Sequence, residues 1–302
     1  MMGPIDLHVH SCCSDGSLTP GELVELAAAK GLSAFALTDH DTVEGLTEAF
    51  EAARRHGEAL TPDACVSPVR VIPGIELSTA WKGRDIHILG LLIDPHSPIF
   101  HRYLQDFVNS RRERNRKMCL SLASAGIDIT YEKLTAEFPV RILTRSHFAR
   151  YLYHHGYTGS YREAFDRYIG DHSPHYIPRE RITPQKAIEL IHQADGLAIL
   201  AHPLHYRFSS RDLEALVEVL KEQGLDGLEA VYCTHSPSEE QYLRSLAARN
   251  ELAVSGGSDF HGSVKPGLEL GSGYGRLYIP ASILEELEER MHRKGHSYEA
   301  PI

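Results

Sequence analysis

Long apolar runs are missing from this 302-residue chain. With them goes any candidate for a membrane-spanning helix, which needs about 20 consecutive apolar residues. The stretch from Met1 to His8 has neither the basic start nor the apolar core of a secretory signal, so the expected location is cytoplasmic. Basic residues are in deficit: 31 Lys and Arg against 41 Asp and Glu leave a net charge of −10 with His neutral. That balance argues against a broad surface for long double-stranded nucleic acid, whose binding rests on neutralising many phosphates. It leaves room for a small phosphorylated ligand, because bound divalent cations reverse the sign inside a pocket. Cysteine is scarce, at five, and no spacing suggests a disulfide framework, as expected of a reducing compartment. Cys12 and Cys13 read as small packed loop residues. The one excess is histidine, with 19 copies.

Strand-like and helix-like stretches alternate along the chain. Ile5 to His10 alternates apolar and polar residues as a strand does. Thr19-Pro20-Gly21-Glu22 then opens a helix, with Thr19 as cap, Pro20 at the first helical position and Glu22 three residues after the cap. Ala34 to Thr38 reads as a strand, Thr42 to His56 as a helix, and Val69 to Ile72 and Ile86 to Ile93 as strands. In the second half Thr183-Pro184 opens a helix that Gly196 stops, and Leu197 to Leu200 leads straight to His202. Leu225 to Tyr232, Leu252 to Ser255 and Leu277 to Ile279 follow as strands, Arg211 to Gln223 and Ser238 to Asn250 as helices. Such alternation predicts a parallel sheet. Chemistry at the ends of many separate strands points to an α/β barrel.

Between about residues 98 and 172 the rhythm breaks. Arg102 to Ala125 reads as one long helix, and Tyr131 to Glu137, Ser146 to His155 and Tyr161 to Tyr168 as shorter ones. The expected organisation is a barrel from residues 1–97 and 173–302, with 98–172 as a helical insertion over its mouth. The basic run Arg111-Arg112-Glu113-Arg114-Asn115-Arg116-Lys117 reads, for most of its members, as a solvated helix face.

The candidate ligands are His8, His10, Asp15, His40, Glu76, His87, His202, Asp259 and His261. His8 and His10 lie two apart on a strand, so both rings face one way and can bind one ion. Imidazoles and carboxylates without thiolate suit Mn²⁺, Fe²⁺ or Zn²⁺ with positions open for water, and do not suit a closed structural zinc site. Glu76 can bridge two ions. A single buried His is more often a hydrogen-bonded core residue, and Asp259 with His261 alone reads as a turn. The case rests on all of them standing at strand ends on one side of the predicted barrel.

These residues carry a family resemblance. Asp6-Leu7-His8-Val9-His10-Ser11, Ser14-Asp15-Gly16, Thr38-Asp39-His40-Asp41, Pro73-Gly74-Ile75-Glu76, His87, Ala201-His202-Pro203 and Gly256-Gly257-Ser258-Asp259-Phe260-His261-Gly262 resemble the motif blocks of the PHP (polymerase and histidinol phosphatase) family of metal-dependent phosphoesterases. The blocks occur in order over roughly Ile5 to Gly262. The resemblance implies a distorted (β/α)7 barrel and a trinuclear site of two to three divalent ions, Mn²⁺ first, with Fe²⁺ or Zn²⁺ as alternatives. It places His8, His10, Glu76 and Asp259 on one ion, Glu76, His87 and His202 on a second, and Asp15, His40 and His261 on a third.

The insertion resembles that of stand-alone members acting on nucleoside 3′,5′-bisphosphates and on the 5′ ends of short RNA. Their Gly-Arg-Pro-His stretch, which contacts substrate phosphate, is matched here by Thr144-Arg145-Ser146-His147. This implicates Arg145 and His147, since Arg binds phosphate bidentately and a neighbouring His adds one donor. Arg179, His205, Arg207 and His235 are further candidates for substrate phosphate. The implied reaction is hydrolysis of the 3′-phosphate of a substrate such as adenosine 3′,5′-bisphosphate by a metal-bridged hydroxide, with no protein nucleophile. The alternatives are a 5′–3′ exonuclease on short 5′-phosphorylated RNA and a histidinol phosphatase. Outside the enzymes stands a metal- or nucleotide-binding domain without turnover. The expected partner is a small phosphorylated substrate and not a membrane.

Overall fold

A computed structural model describes residues 3–59, 68–140, 143–170, 172–177 and 182–295. The strands are β1 (Ile5–Val9), β2 (Ala34–Leu37), β3 (Arg70–Trp81), β4 (Arg84–Leu91), β5 (Leu197–Leu200), β6 (Gly227–Tyr232) and β7 (Ala253–Gly257). They pair in that order in one seven-stranded sheet. A bridge between Val9 and Phe260, with the His10 N–H donating to the Phe260 carbonyl at 2.9 Å, brings β7 back to β1 and nearly closes a barrel.

The helices are α1 (Pro20–Ala29), α2 (Gly45–Ala59), α3 (Pro98–Ser124), α4 (Tyr131–Glu137), α5 (Arg145–His154), α6 (Tyr161–Ala164), α7 (Pro184–Gln193), α8 (Ser210–Glu222), α9 (Pro237–Arg249) and α10 (Ser282–Arg293). Their starts follow local chemistry. Thr19 accepts from the Glu22 N–H, and Glu22 returns a carboxylate to the Thr19 N–H at 2.8 Å, a complete capping box. Ser236 and Glu239 cap α9 in the same way, and Thr183 accepts the Lys186 N–H at the start of α7. Leu23, Val24 and Ala27 of α1 and Ile188 and Ile191 of α7 are fully buried in the main core, which explains why short helices hold here. Among the described residues no helix is long and apolar enough to cross a membrane.

The all-parallel expectation fails at one strand. β4 is antiparallel to both β3 and β5. β3 does not stop at Ile72; it runs on to Trp81, where Lys82 and Gly83, both at positive φ, turn the chain back. His87 therefore lies inside an antiparallel strand, opposite Ser78, and shares a face with Glu76. The expected strand at Leu277 to Ile279 is absent; the Ile279 carbonyl takes the N–H of Ile5 at 3.0 Å without a ladder.

Between β4 and α7 lies the helical segment. Met118, Leu122, Phe148, Leu152, Ala164 and Ile169 form an apolar cluster of its own, apart from the barrel core. The expected helix at Tyr161 to Tyr168 is α6 followed by a π-helical turn, Phe165–Ile169.

Candidate metal centre

β1 delivers two imidazoles to one point. His8 and His10 are fully buried, with Nε2 atoms 3.1 Å apart. Glu76 Oε2 lies 3.2 Å from the first and 3.1 Å from the second, and Asp259 Oδ1 lies 3.6 and 3.4 Å away. The other Glu76 oxygen faces His87 Nδ1 at 2.7 Å and His202 Nε2 at 3.0 Å. One carboxylate thus stands between two imidazole pairs. Asp15 Oδ1 lies 3.2 Å from His261 Nε2 and 4.0 Å from His10 Nδ1, and the His10 and His261 rings stack at 4.1 Å.

Among the described residues three ligand groups emerge: His10, Asp15, His40 and His261; His8, His10 and Glu76; and His40, Glu76 and His87, each with ligand atoms within 4.8 Å of one another. They differ from the partition implied by the resemblance: His10 and His40 each join a second group, and neither Asp259 nor His202 falls in any. His10 turns Nε2 to Glu76 and Nδ1 toward Asp15, and His40 Nδ1 lies 3.1 Å from Glu76 Oε2, so both rings stand between groups.

The residues fit a cation. Buried His10 Nδ1, Asp15 Oδ1, His40 Nδ1 and His202 Nδ1 have no hydrogen-bond partner among the described residues, although His10 Nδ1 and Asp15 Oδ1 lie within ion-pair reach of each other and His40 Nδ1 within reach of Glu76. Buried polar atoms are rarely left so, and a divalent ion is what such a donor set accommodates. Burial works against ionisation of Glu76, yet His40, His87 and His8 hold its carboxyl well below the usual range. Burial also opposes charge on His10 and His87, but bonds to Asp259 and Glu76 lift His10 to about 9, and Glu76 and Asp85 lift His87 to about 10. His40 goes the other way, pushed down to about 4 by burial.

Carboxylates that are not ligands fix the frame. Asp39 accepts from the Ser11 N–H at 2.8 Å, the Ser11 hydroxyl at 2.6 Å and the Ser14 hydroxyl at 2.5 Å, which pins the loop carrying Asp15. Asp6 takes the Ser258 N–H, the Ser258 hydroxyl and the Gly271 N–H, and pins the loop carrying Asp259. Lys265 Nζ at 2.5 Å and the Tyr232 hydroxyl at 2.8 Å hold Asp259 Oδ2, leaving Oδ1 toward His8 and His10. Lys265 and Tyr232 carry no sequence signal that singles them out.

Beside the ligands opens a cavity of about 170 Å³. Asp15, His40 and His87 line it, as do Arg111, Arg114 and Arg145, with Phe165 and Tyr176. Arg145 lies 5.2 Å from the Tyr176 ring and 3.8 Å from the Asp85 carboxylate. The solvated-face reading holds for most of the run, since Arg112, Glu113, Arg116 and Lys117 are exposed, but Arg111 and Arg114 are exceptions, both buried. The reason is helical period, since 111, 114, 115, 118 and 122 share one face of α3. Arg111 pairs with Asp41, which also takes the Ser78 N–H at 2.9 Å; its buried Nε has no hydrogen-bond partner among the described residues.

The other expected phosphate contacts scatter. His147 does not line the cavity. It is buried at the start of α5, takes the Thr144 N–H on Nδ1 at 3.0 Å, and burial pushes it down to about 4. His205 stacks 5.3 Å from His202 and meets Thr234 Oγ1 at 3.2 Å. His235 faces the Ala230 carbonyl at 2.9 Å, and Arg207 is exposed at positive φ. Neither these two nor His205 line the cavity. Arg179 lies outside the described residues.

Comparison with known proteins places this geometry. The family model described as PHP domain matches residues 6–206. A 5′-3′ exoribonuclease Rnm of Escherichia coli (strain K12) is 36% identical over 92% of this chain and 90% of its own. A 3′,5′-nucleoside bisphosphate phosphatase of Chromobacterium violaceum is 34% identical over 97% of this chain and 99% of its own. The solved structure of an amidohydrolase from Chromobacterium violaceum, with bound sulfate and no metal, superposes with a TM-score of 0.81 at 34% identity, covering 95% of this chain and 97% of that one. The chain belongs to the PHP domain family, and its chemistry is that of a metal-dependent hydrolase of phosphate esters.

Proposed function

We propose that the protein removes the 3′-phosphate of nucleoside 3′,5′-bisphosphates such as adenosine 3′,5′-bisphosphate. The observation that carries this reading is one cavity lined both by the candidate ligands Asp15, His40 and His87 and by Arg111, Arg114 and Arg145. A substrate with two phosphate groups suits a cavity that offers both a metal centre and arginines. At about 170 Å³ the cavity is smaller than the roughly 300–1,000 Å³ of ordinary ligand pockets. It suits phosphate and sugar, with the base at the rim beside Tyr176.

The ligand sets are those named above: His8, His10, Glu76 and Asp259 for one ion, Glu76, His87 and His202 for a second, and Asp15, His40 and His261 for a third. Bound divalent ions, Mn²⁺ first, supply an activated water at neutral pH and screen phosphoryl oxygens. Glu76 fixes the spacing of the two imidazole pairs. Arg145, Arg111 and Arg114 bind the phosphate that is not cleaved and so orient the ester. Residues 98–172 serve as the substrate cap. In this reading the reaction needs no covalent nucleophile from the protein.

A second reading, 5′–3′ hydrolysis of short 5′-phosphorylated RNA, rests on the relatives of that name and on the same lining of candidate ligands and arginines, since a 5′-phosphate and the next diester also make two anions. Histidinol phosphate fits less well, because its ammonium group would meet arginines. The test is phosphate or nucleotide release with added Mn²⁺ across adenosine 3′,5′-bisphosphate, AMP, histidinol phosphate and a short 5′-phosphorylated RNA. Turnover of adenosine 3′,5′-bisphosphate well above the rest is expected. Preference for RNA moves the assignment to the second reading, and no turnover of any substrate by metal-loaded protein removes both.

A further inference from the structure

β6 is the strand that delivers no candidate ligand. β1, β2, β5 and β7 run into His8 and His10, His40, His202, and Asp259 and His261, while β3 and β4 carry Glu76 and His87. In the place where a ligand would stand, β6 carries Glu229, a carboxylate with no exposed surface. One oxygen, Oε1, lies 2.9 Å from His8 Nδ1; the other, Oε2, accepts the backbone N–H of His202 at 2.7 Å.

We propose that Glu229 is a positioning residue that sets two metal-ligand histidines at once, one in each of the ion sites that share Glu76. The inference rests on the metal-site reading above. A carboxylate only accepts, so the His8 nitrogen facing it carries the proton, and the lone pair falls on Nε2. Nε2 is the atom turned toward Glu76, His10 and Asp259. Histidine ligands are commonly held in this way from behind.

The second oxygen does a different task. His202 has φ 26° and ψ 57°, a left-handed conformation that side-chain-bearing residues seldom adopt. It takes up this conformation directly after β5, where it aims Nε2 at Glu76 Oε1, 3.0 Å away. The Glu229 oxygen on its N–H fixes the peptide that enters this bend.

The two duties make a chemical demand that glutamine does not meet. Both partners are donors, and an amide offers one oxygen and one NH₂. In Glu229→Gln either the His202 N–H faces a donor, or the NH₂ donates to His8 Nδ1 and the proton moves to Nε2, where it blocks the ion.

The experiment compares the full-length wild type, Glu229→Gln, Glu229→Ala and Asp226→Asn. Asp226 is the control: a buried carboxylate just before β6 that bonds the Ala198 N–H and His192 and touches no candidate ligand. Each protein is stripped, titrated with Mn²⁺ or Zn²⁺ against a competing chelator, and assayed for bound metal and thermal unfolding. Both Glu229 variants are expected to bind metal about 10- to 100-fold more weakly with wild-type circular dichroism, and Asp226→Asn to lower Tm with wild-type metal affinity. Wild-type affinity and stoichiometry in folded Glu229→Gln overturns the inference, as does equal metal loss in Asp226→Asn. Should the Glu229 variants not fold, ¹⁵N spectra of the Zn²⁺-loaded wild type decide: His8 protonated on Nδ1 supports the assignment, and protonation on Nε2 overturns it. A wild type that binds no metal removes the metal-site reading itself, which is a separate result.

Discussion

The barrel mouth and the helical segment between β4 and α7 solve different problems with different materials. At the mouth, ligands arrive from six strands, and several are held from behind by a further polar group. Asp39 holds the Asp15 loop, Asp6 the Asp259 loop, and Lys265 and Tyr232 the far oxygen of Asp259. In the helical segment, Arg111 and Arg114 come from one helix and Arg145 from another, and the apolar cluster behind them is separate from the barrel core. A metal centre fails when one ligand shifts by an ångström, so its candidate ligands stand on the ladder or on loops pinned close to its strand ends. In the proposed reading, recognition of a second anion tolerates more movement, and a segment with its own small core can drift in evolution without disturbing the candidate ligands.

The sharpest way to break the comparison is at Glu76, the carboxylate between both imidazole pairs. Glu76→Gln should lower kcat on the order of 10³-fold, the upper end for losing one preorganised electrostatic group, and reduce bound metal, with helix content unchanged. Next in size, Phe148→Ala empties the fully buried centre of the segment's cluster. It should cost about 3 kcal/mol, seen as faster amide exchange in α5, while metal content stays at the wild-type value. Loss of metal in this variant would mean that the two regions are not separate. Arg145→Ala is the recognition counterpart: a drop of about 10²-fold in kcat/KM for a bisphosphate, the scale of a charge-assisted hydrogen bond, with little change for a generic aryl phosphate. Equal losses on both substrates would take Arg145 out of recognition.

The mildest probe is pH. His147 is buried and neutral, pushed down to about 4 from the ordinary 6.5. The unfolded segment takes up its proton near pH 6.5 and the folded one does not until about 4, so stability falls as pH falls through that window. Going from pH 7 to 5.5 should cost the segment about 1 kcal/mol, read again as exchange in α5, and His147→Asn should flatten the dependence.

What could be read from the sequence follows the same division. The ligands were legible because polar residues that interrupt or end apolar strands are anomalies, and anomalies in recurring short blocks declare themselves. The reversal of β4 was not, although Lys82-Gly83 between two apolar stretches carried the hairpin signal; the rhythm of βα units outweighed it. Arg111 and Arg114 were hidden inside a run that is mostly solvated, and only the period of three to four on α3 separates them from their neighbours. Glu229 was hidden for a deeper reason. Its partner His8 is 221 residues away, and a lone acid in Gly227–Tyr232 matches no spacing rule until the barrel brings β6 beside β1 and β5.

The β3–β4 hairpin has a consequence for anyone who would shorten or extend it. Ser78 pairs with His87 and Glu76 with Leu89, so the two ligands agree in face only while an even count separates them across the turn. Adding or deleting one residue at the Lys82-Gly83 turn would aim Ile86 or Ile88 at the ions and send His87 outward. A surface turn that looks like the safest place to insert a tag is therefore a place where a one-residue change in length would disarm the centre, whereas two residues added together would leave its parity intact.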